Sequence, residues 1–289
     1  MSSESCVPSL ESVVVCTAAG RRRFLELLLP QMTRDFKAGD ISRWDLWVNT
    51  IEPSDLAYID YLSTNHNWIR QVVRSDIGNV DLYRVTRFWS KGMTDPNAIY
   101  VKLDDDVVWV AGGTIKKCVT ALKADPNLGV VAPWVVNNTI AAHLMQRFGL
   151  HSRRVGFIPY SYWINPFSGR PDWTEEIHRS FLDAAESKNL QRWSNLPDHV
   201  FTEEQGHAFG IQFLVIRGAD AIQWAALMDK RGAGDEQFMT AVAPMEYGRY
   251  NKFVGGTLAV HFSYGPQSAH PYLLDALPRY VRLVAEGVV

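Results

Sequence analysis

The sequence is short of several things, and each shortage excludes a class of protein. Cysteine is scarce: Cys6, Cys16 and Cys118 are the only three in 289 residues. That number is too small and too odd for a disulfide framework, and it points to a reducing, cytoplasmic setting. Excess charge of one sign is missing as well. The 29 basic side chains nearly balance 31 acidic ones, for a net charge of −2, so no basic field exists to hold nucleic acid by counterion release. No run approaches the ~18 apolar residues of a membrane span. The first residues, MSSESCVPSLESVVVC, lack the basic stretch and long apolar core of a signal peptide. No internal repeat or low-complexity linker is seen. A chain without a transmembrane segment or a nucleic-acid partner is expected.

What is present is an ordinary globular composition, 47% hydrophobic and 21% charged, with an unusual ten tryptophans. Apolar β-branched runs at 12–17, 43–50, 68–76, 98–103 and 128–136 read as strands. Helical spacing fills the intervals at 21–36, 54–65, 80–93, 114–125 and 139–149, with Pro30 as a kink or stop. This alternation predicts βαβ units: an α/β fold with a mainly parallel, Rossmann-like sheet flanked by helices. From 151 to 207 the rhythm breaks into a stretch rich in Pro, Gly, Tyr and Trp, read as an insertion carrying one helix over 174–193. Strand and helix return at 209–224. A glycine loop then opens a helix at 232–245, and a last strand spans 257–264. The C-terminal tail is expected to be irregular with a short helix.

The segment AIYVKLDDDVVWV, residues 98–110, places Asp104, Asp105 and Asp106 where a strand leaves the sheet. Such strand ends are where α/β sheets bind ligands. Side chains alternate on an extended segment, so Asp104 and Asp106 face one way and Asp105 the other. Two carboxylates aimed at one spot call for a cation, and Mg²⁺ or Mn²⁺ suits oxygen ligands completed by phosphate. The competing reading is an acidic solvated turn.

A strand closing on LDDD after about a hundred residues of alternating strands and helices resembles a glycosyltransferase of the GT-A fold. Three places carry the resemblance. Asp104-x-Asp106 is similar to the family's metal-binding Asp-x-Asp motif. GAGDEQF, residues 232–238, resembles the acidic helix start that supplies the base in inverting members. AVHF, residues 259–262, resembles the strand bearing a histidine metal ligand. The resemblance implies one GT-A-like domain over 1–289. Its first half, about 10–150, would bind a nucleotide-sugar donor and its second half, about 151–289, a carbohydrate acceptor. It implies Mn²⁺ or Mg²⁺ on Asp104, Asp106 and His261, with His270 as the competing histidine. Asp235 is the first choice for the base and Glu236 the second, since the order here is Asp-Glu where the family often has Glu-Asp. Thr17 and Ala18 match where the family holds base and ribose, and Asp104 and Asp105 also face the donor.

Arg21, Arg22 and Arg23 open a helix, where positive charge opposes the dipole and a diphosphate would relieve the conflict. At most one or two of them reach a ligand, and Arg21 and Arg22 are chosen. Arg87 is a further phosphate candidate. Trp134, Tyr160, Tyr162, Trp163 and Trp173 offer flat faces for sugar rings, with Asn137 and Asn138 as polar edges. The alternative for these aromatics is a hydrophobic cluster under a long loop. Three functions follow: an inverting, metal-dependent glycosyltransferase; a nucleotidyltransferase that makes a nucleotide-sugar; or a non-catalytic carbohydrate-binding protein of the same fold.

Overall fold

A computed structural model describes residues 12–72, 86–160, 170–201, 208–268 and 270–287. Its centre is one nine-stranded sheet drawn from both halves of the chain. Strands β1 (Val13–Ala19), β2 (Arg43–Val48), β3 (Ile69–Val72) and β4 (Ile99–Leu103) pair in parallel in the order β3-β2-β1-β4. β8 (Phe213–Arg217) runs antiparallel between β4 and β6 (Leu128–Val136), so β6 recovers the direction of β4. β9 (Tyr250–His261) lies parallel to β6, and β5 (Val107–Val110) and β7 (His199–Phe201) pair antiparallel with β9. Six strands therefore share one direction, which makes the sheet mainly parallel as expected.

Helices cover both faces, so the central strands read as unbroken apolar runs. Every residue of β4 and β6 is buried. Alternate residues feed opposite sides: Val14, Cys16 and Tyr100 join one core, and Val15, Ile99 and Val101 the other. The helix Arg22–Lys37 buries Phe24, Leu25, Leu27, Leu28 and Met32. It continues through Pro30, which sets aside the expected alternative of a stop there. Pro30 lies on the exposed face, where the carbonyl it cannot pair is left to water.

β5 was not expected as a strand, and it governs the geometry. Four spacings of ~4.8 Å separate β4 from β5 along the sheet order, about 19 Å if flat. The three-residue link between them reaches at most ~14 Å. The sheet must therefore curl to bring β5 back beneath the end of β4. Register shifts in the β6–β9 and β5–β9 pairings accommodate that curl. The edge of β5 is closed by the helix Arg22–Lys37. Gln31 Nε2 donates to Val108 O at 3.2 Å, and Arg34 Nη1 donates to Val110 O at 3.1 Å.

The C-terminal segment departs from expectation too. Pro271–Ala285 is a 15-residue helix. It packs on the helix Pro171–Glu186 of the aromatic-rich region through Tyr280, whose hydroxyl meets His178 Nδ1 at 2.8 Å, and through Arg279, which pairs with Asp183 and Glu186. No helix among the described residues is long and apolar enough to cross a membrane.

At the junction of β8 and the helix Gly218–Arg231, a Cβ on Gly218 would stand 2.9 Å from Ala98 O and closer still to Asp95 O. Both are backbone atoms and cannot swing aside. Gly218→Ala is expected to lower stability by about 1–3 kcal/mol, read as a reduced urea midpoint with unchanged slope.

Candidate functional site

The site forms at the corner between β4 and β5. Asp104 N donates to Gln212 O at 2.9 Å, Val107 N to Asp104 O at 3.2 Å, and Phe262 N to Asp106 O at 2.8 Å, which pins the acidic triplet from both sides. The β5–β9 register sets Val107 opposite His261. As a result one ligand atom from each of Asp104, Asp106 and His261 lies within 4.8 Å of the others. His261 Nε2 stands 3.5 Å from Asp106 Oδ1. Its Nδ1 faces Asn137 O at 3.3 Å, a backbone partner that orients the ring. His270, the competing histidine, instead caps the C-terminal helix by accepting from Tyr272 N at 3.1 Å. Two carboxylates from the β4–β5 link and one imidazole from β9 form a donor set suited to Mn²⁺, and to Mg²⁺ with water and phosphate completing the shell.

Asp105 turns the other way. Its Oδ2 accepts from Gly20 N at 2.9 Å and its Oδ1 from Arg21 Nε at 3.0 Å. A Cβ at Gly20 would lie 2.8 Å from Asn49 O, so only glycine lets the backbone approach there. Arg21 Nη2 also reaches Asp106 Oδ2 at 3.0 Å. Lys102, buried at 2% exposure, pairs with Asp104 and donates to Ile211 O at 2.7 Å. Three acids thus face three cationic or proton-accepting side chains.

Their proton affinities follow this arrangement. Burial raises Asp104, and Asp106 adds to the rise while Lys102 opposes it. Burial raises Asp105 to about 6, outweighing the pull of Arg21. Asp106 is also penalised by burial, but His261 and Arg21 together hold it down at about 2. Burial would lower His261, yet Asp106 and Asp104 raise it.

Glu236 and Asp235 start the helical segment beyond the glycine loop. Asp235 Oδ2 accepts from the buried indole Nε1 of Trp89 at 3.1 Å. Glu236 is half-buried and raised to about 7, first by burial, then by Asp235, against the pull of Lys102. Asp104 and His261 also act on it, so it lies within electrostatic reach of the corner. Beside Arg21 a cleft of about 500 Å³ is lined by Arg21, Arg22, Arg23, Glu26 and Asp55. Its helix N-terminus is not open to phosphate throughout, because Arg22 N donates to Asp55 Oδ1 at 2.9 Å. The Arg22 side chain pairs with Glu26 at 2.7 Å.

Several expected contacts are corrected. Trp134 is fully buried inside β6, with its indole donating to Pro197 O at 2.9 Å, so it offers no sugar platform. Trp173 is packed in the same core. Asn137 is wholly buried and adopts φ +63°, its amide donating to Phe262 O and Gln267 Oε1. Asn138 caps the helix Thr139–Arg147. The Thr17 hydroxyl is buried and accepts the Trp44 indole proton at 2.9 Å, leaving only backbone for a ligand. Ala18 is half-buried near the end of β1. Tyr162, Trp163 and the side chain of Arg87 lie outside the described residues. Missed from the sequence were the bond from Gly20 N to Asp105 and the polar belt of Gln212 and Tyr264, joined at 3.3 Å. The tight turn after β1 hinted at the first; nothing in the sequence marked the belt.

No protein family model matches this chain, and no curated protein does. Among solved structures, the mannosyltransferase PcManGT from Pyrobaculum calidifontis, in complex with GDP-Man and Mn²⁺, gives a TM-score of 0.47 at 12% identity, covering 97% of this chain and 76% of that one. CMP:2-keto-3-deoxy-manno-octonic acid synthetase complexed with CTP gives 0.46 at 12% identity over 96% of this chain and 100% of that one. 4-Diphosphocytidyl-2C-methyl-D-erythritol synthase from Anaerococcus prevotii DSM 20548 gives 0.31 at 17% identity over 44% of this chain, which spans only 56% of that protein's length. At these values no shared activity follows.

Lys102 ties β4 to the acidic corner. Lys102→Met is expected to cost about 1–3 kcal/mol by stripping partners from Asp104 and Ile211 O; equilibrium unfolding in urea reads it. A variant as stable as the parent would show that the ammonium does not hold the corner.

Proposed function

We propose that this chain is a metal-dependent glycosyltransferase. It transfers a sugar from a nucleotide-sugar donor to a hydroxyl of a carbohydrate acceptor, with inversion. One observation carries the reading: Asp104, Asp106 and His261 converge within 4.8 Å, with a carboxyl group raised to about 7 in electrostatic reach. The whole chain acts as one GT-A-like domain, with the donor on the β1–β4 side and the acceptor on the later half.

Asp104, Asp106 and His261 would hold Mn²⁺ or Mg²⁺, the mixed oxygen and nitrogen set favouring Mn²⁺. When bound, such an ion supplies charge neutralisation for the departing nucleoside diphosphate. Arg21, at the mouth of the basic cleft, adds a guanidinium for the same phosphates. Glu236 takes the proton from the acceptor hydroxyl. It is preferred to Asp235 because a base works best with a pKa near the operating pH, and because the Asp235 carboxylate is tethered by Trp89.

A second reading, a nucleotidyltransferase, is favoured by one feature. The three arginines directly after β1 line a cleft, where such an enzyme would cradle a triphosphate. The leaving group separates the two. The first test is a panel of nucleotide-sugars with carbohydrate acceptors, and of nucleoside triphosphates with sugar phosphates, each with and without Mn²⁺. Metal-dependent release of nucleoside diphosphate, lost in Asp106→Ala, is expected. Release of pyrophosphate from a triphosphate would replace the first reading by the second. A second test concerns the base. Glu236→Gln is expected to lower kcat about 10²–10⁴-fold. In the parent, kcat/KM should fall about tenfold per pH unit below a pKa near 7, because protonation removes the base. That acid limb should vanish in the variant.

A further inference from the structure

Asp106 has both oxygens engaged. Oδ1 faces His261 Nε2 at 3.5 Å, and Oδ2 is 3.0 Å from Arg21 Nη2. A divalent ion held by Asp104, Asp106 and His261 would therefore sit close to a guanidinium already resting on one of its ligands. That guanidinium cannot discharge itself by losing a proton. One of the two cationic side chains already paired with the aspartates, Arg21 or Lys102, must make room for the ion, and the surroundings say which. The Arg21 side chain is 43% exposed, whereas the Lys102 side chain is 2% exposed and fixed between Asp104 and Ile211 O. Arg21 also borders the cleft it shares with Arg22 and Arg23, so it has somewhere to go. In that cleft Arg22 is paired with Glu26, and its backbone N–H is taken by Asp55. Arg23 is exposed in the same cleft, but Arg21 is the one of the three arginines seen to pair with Asp105 and Asp106, so its swing toward an incoming polyanion is the one that frees the corner.

We propose that Arg21 is a latch on the metal site. Without ligand it bridges Asp105 and Asp106; when a diphosphate group enters the cleft it swings onto that group and vacates Asp106. Divalent ion and diphosphate consequently bind as a coupled pair. The idea rests on the reading of Asp104, Asp106 and His261 as metal ligands and adds the regulation of that site. An ion arriving alone meets the closed latch. A diphosphate arriving alone finds Arg21 held by Asp105 and Asp106. Each ligand removes the obstacle to the other, and linkage requires the two enhancements to be equal.

The test is calorimetric binding of Mn²⁺ to the full chain, without turnover, alone and with inorganic pyrophosphate, corrected for the Mn²⁺–pyrophosphate complex in solution. The parent is expected to bind Mn²⁺ roughly 5–150-fold more tightly when pyrophosphate is present. Arg21→Ala is expected to bind Mn²⁺ alone about tenfold more tightly than the parent. Arg21→Gln, which keeps more of the side-chain volume if the alanine variant folds poorly, should do the same, while Arg21→Lys should stay near the parent. Equal Mn²⁺ affinity in the parent and in both neutral variants, with binding still lost in Asp106→Ala, would overturn the latch and leave the metal site standing. Absence of Mn²⁺ binding in every variant, or undiminished binding in Asp106→Ala, would overturn the metal reading and the latch with it.

Discussion

A three-residue link between strands that lie four places apart is the constraint on which the site depends. Asp104, Asp105 and Asp106 are all that separates β4 from β5, yet β8, β6 and β9 stand between those strands in the sheet. The link is too short to cross a flat sheet, so the sheet must turn there. The turn decides the directions of the three carboxylates, and the β5–β9 pairing decides which residue of β9 arrives opposite. That residue is His261, across from Val107. Shifting the β9 register by one residue would send the imidazole to the other face. The convergence of Asp104, Asp106 and His261 is thus a consequence of strand pairing, and Gln31 and Arg34 of the first helix protect that pairing by closing the outer edge of β5.

Three carboxylates at a buried corner cannot stand without compensation. Compensation comes from elements fixed for other reasons: Lys102 from β4 itself, Arg21 from the turn after β1, His261 from β9. The division among them is uneven, and the proton affinities record it. Asp106, between His261 and Arg21, is held at about 2, whereas Asp105, with Arg21 alone among the cations, is at about 6. The most strongly compensated acid is the one both a metal and the protein's own arginine would claim. Competition for Asp106 is built into the charge balance of the corner.

Much of this layout was legible in the chain, and the failures have physical causes. β1, β4 and β6 were readable because strands buried on both faces are continuous apolar runs. β5 was not: VVWV has four residues and follows the aspartates with no turn residue of its own. Position after a strand sufficed to suspect the acidic triplet, and alternation sufficed to separate Asp105 from its neighbours. Choosing His261 over His270 needed the third dimension, since the two differ only in which strand or cap they serve. Trp134 and Trp173 were misjudged because composition does not say which way a ring points; Trp134 belongs to a strand buried at all nine positions. The last helix carries a clear apolar stripe at Leu273, Ala276, Tyr280 and Leu283, masked in the sequence by Pro271 and Pro278.

The neighbouring acids Asp235 and Glu236 show how one environment divides two like groups. Sequence order placed Asp235 at the helix start and made it the first choice for the base. In the folded chain its carboxylate accepts the Trp89 indole proton, which tethers it. That fixed charge then works on the next residue. Glu236, half out of water and beside an ionised neighbour, is driven up to about 7. The tethered member sets the field, and the free member has a proton affinity matched to neutral pH. Burial is the largest cause of the rise at Glu236 as it is at Asp105 in the acidic corner.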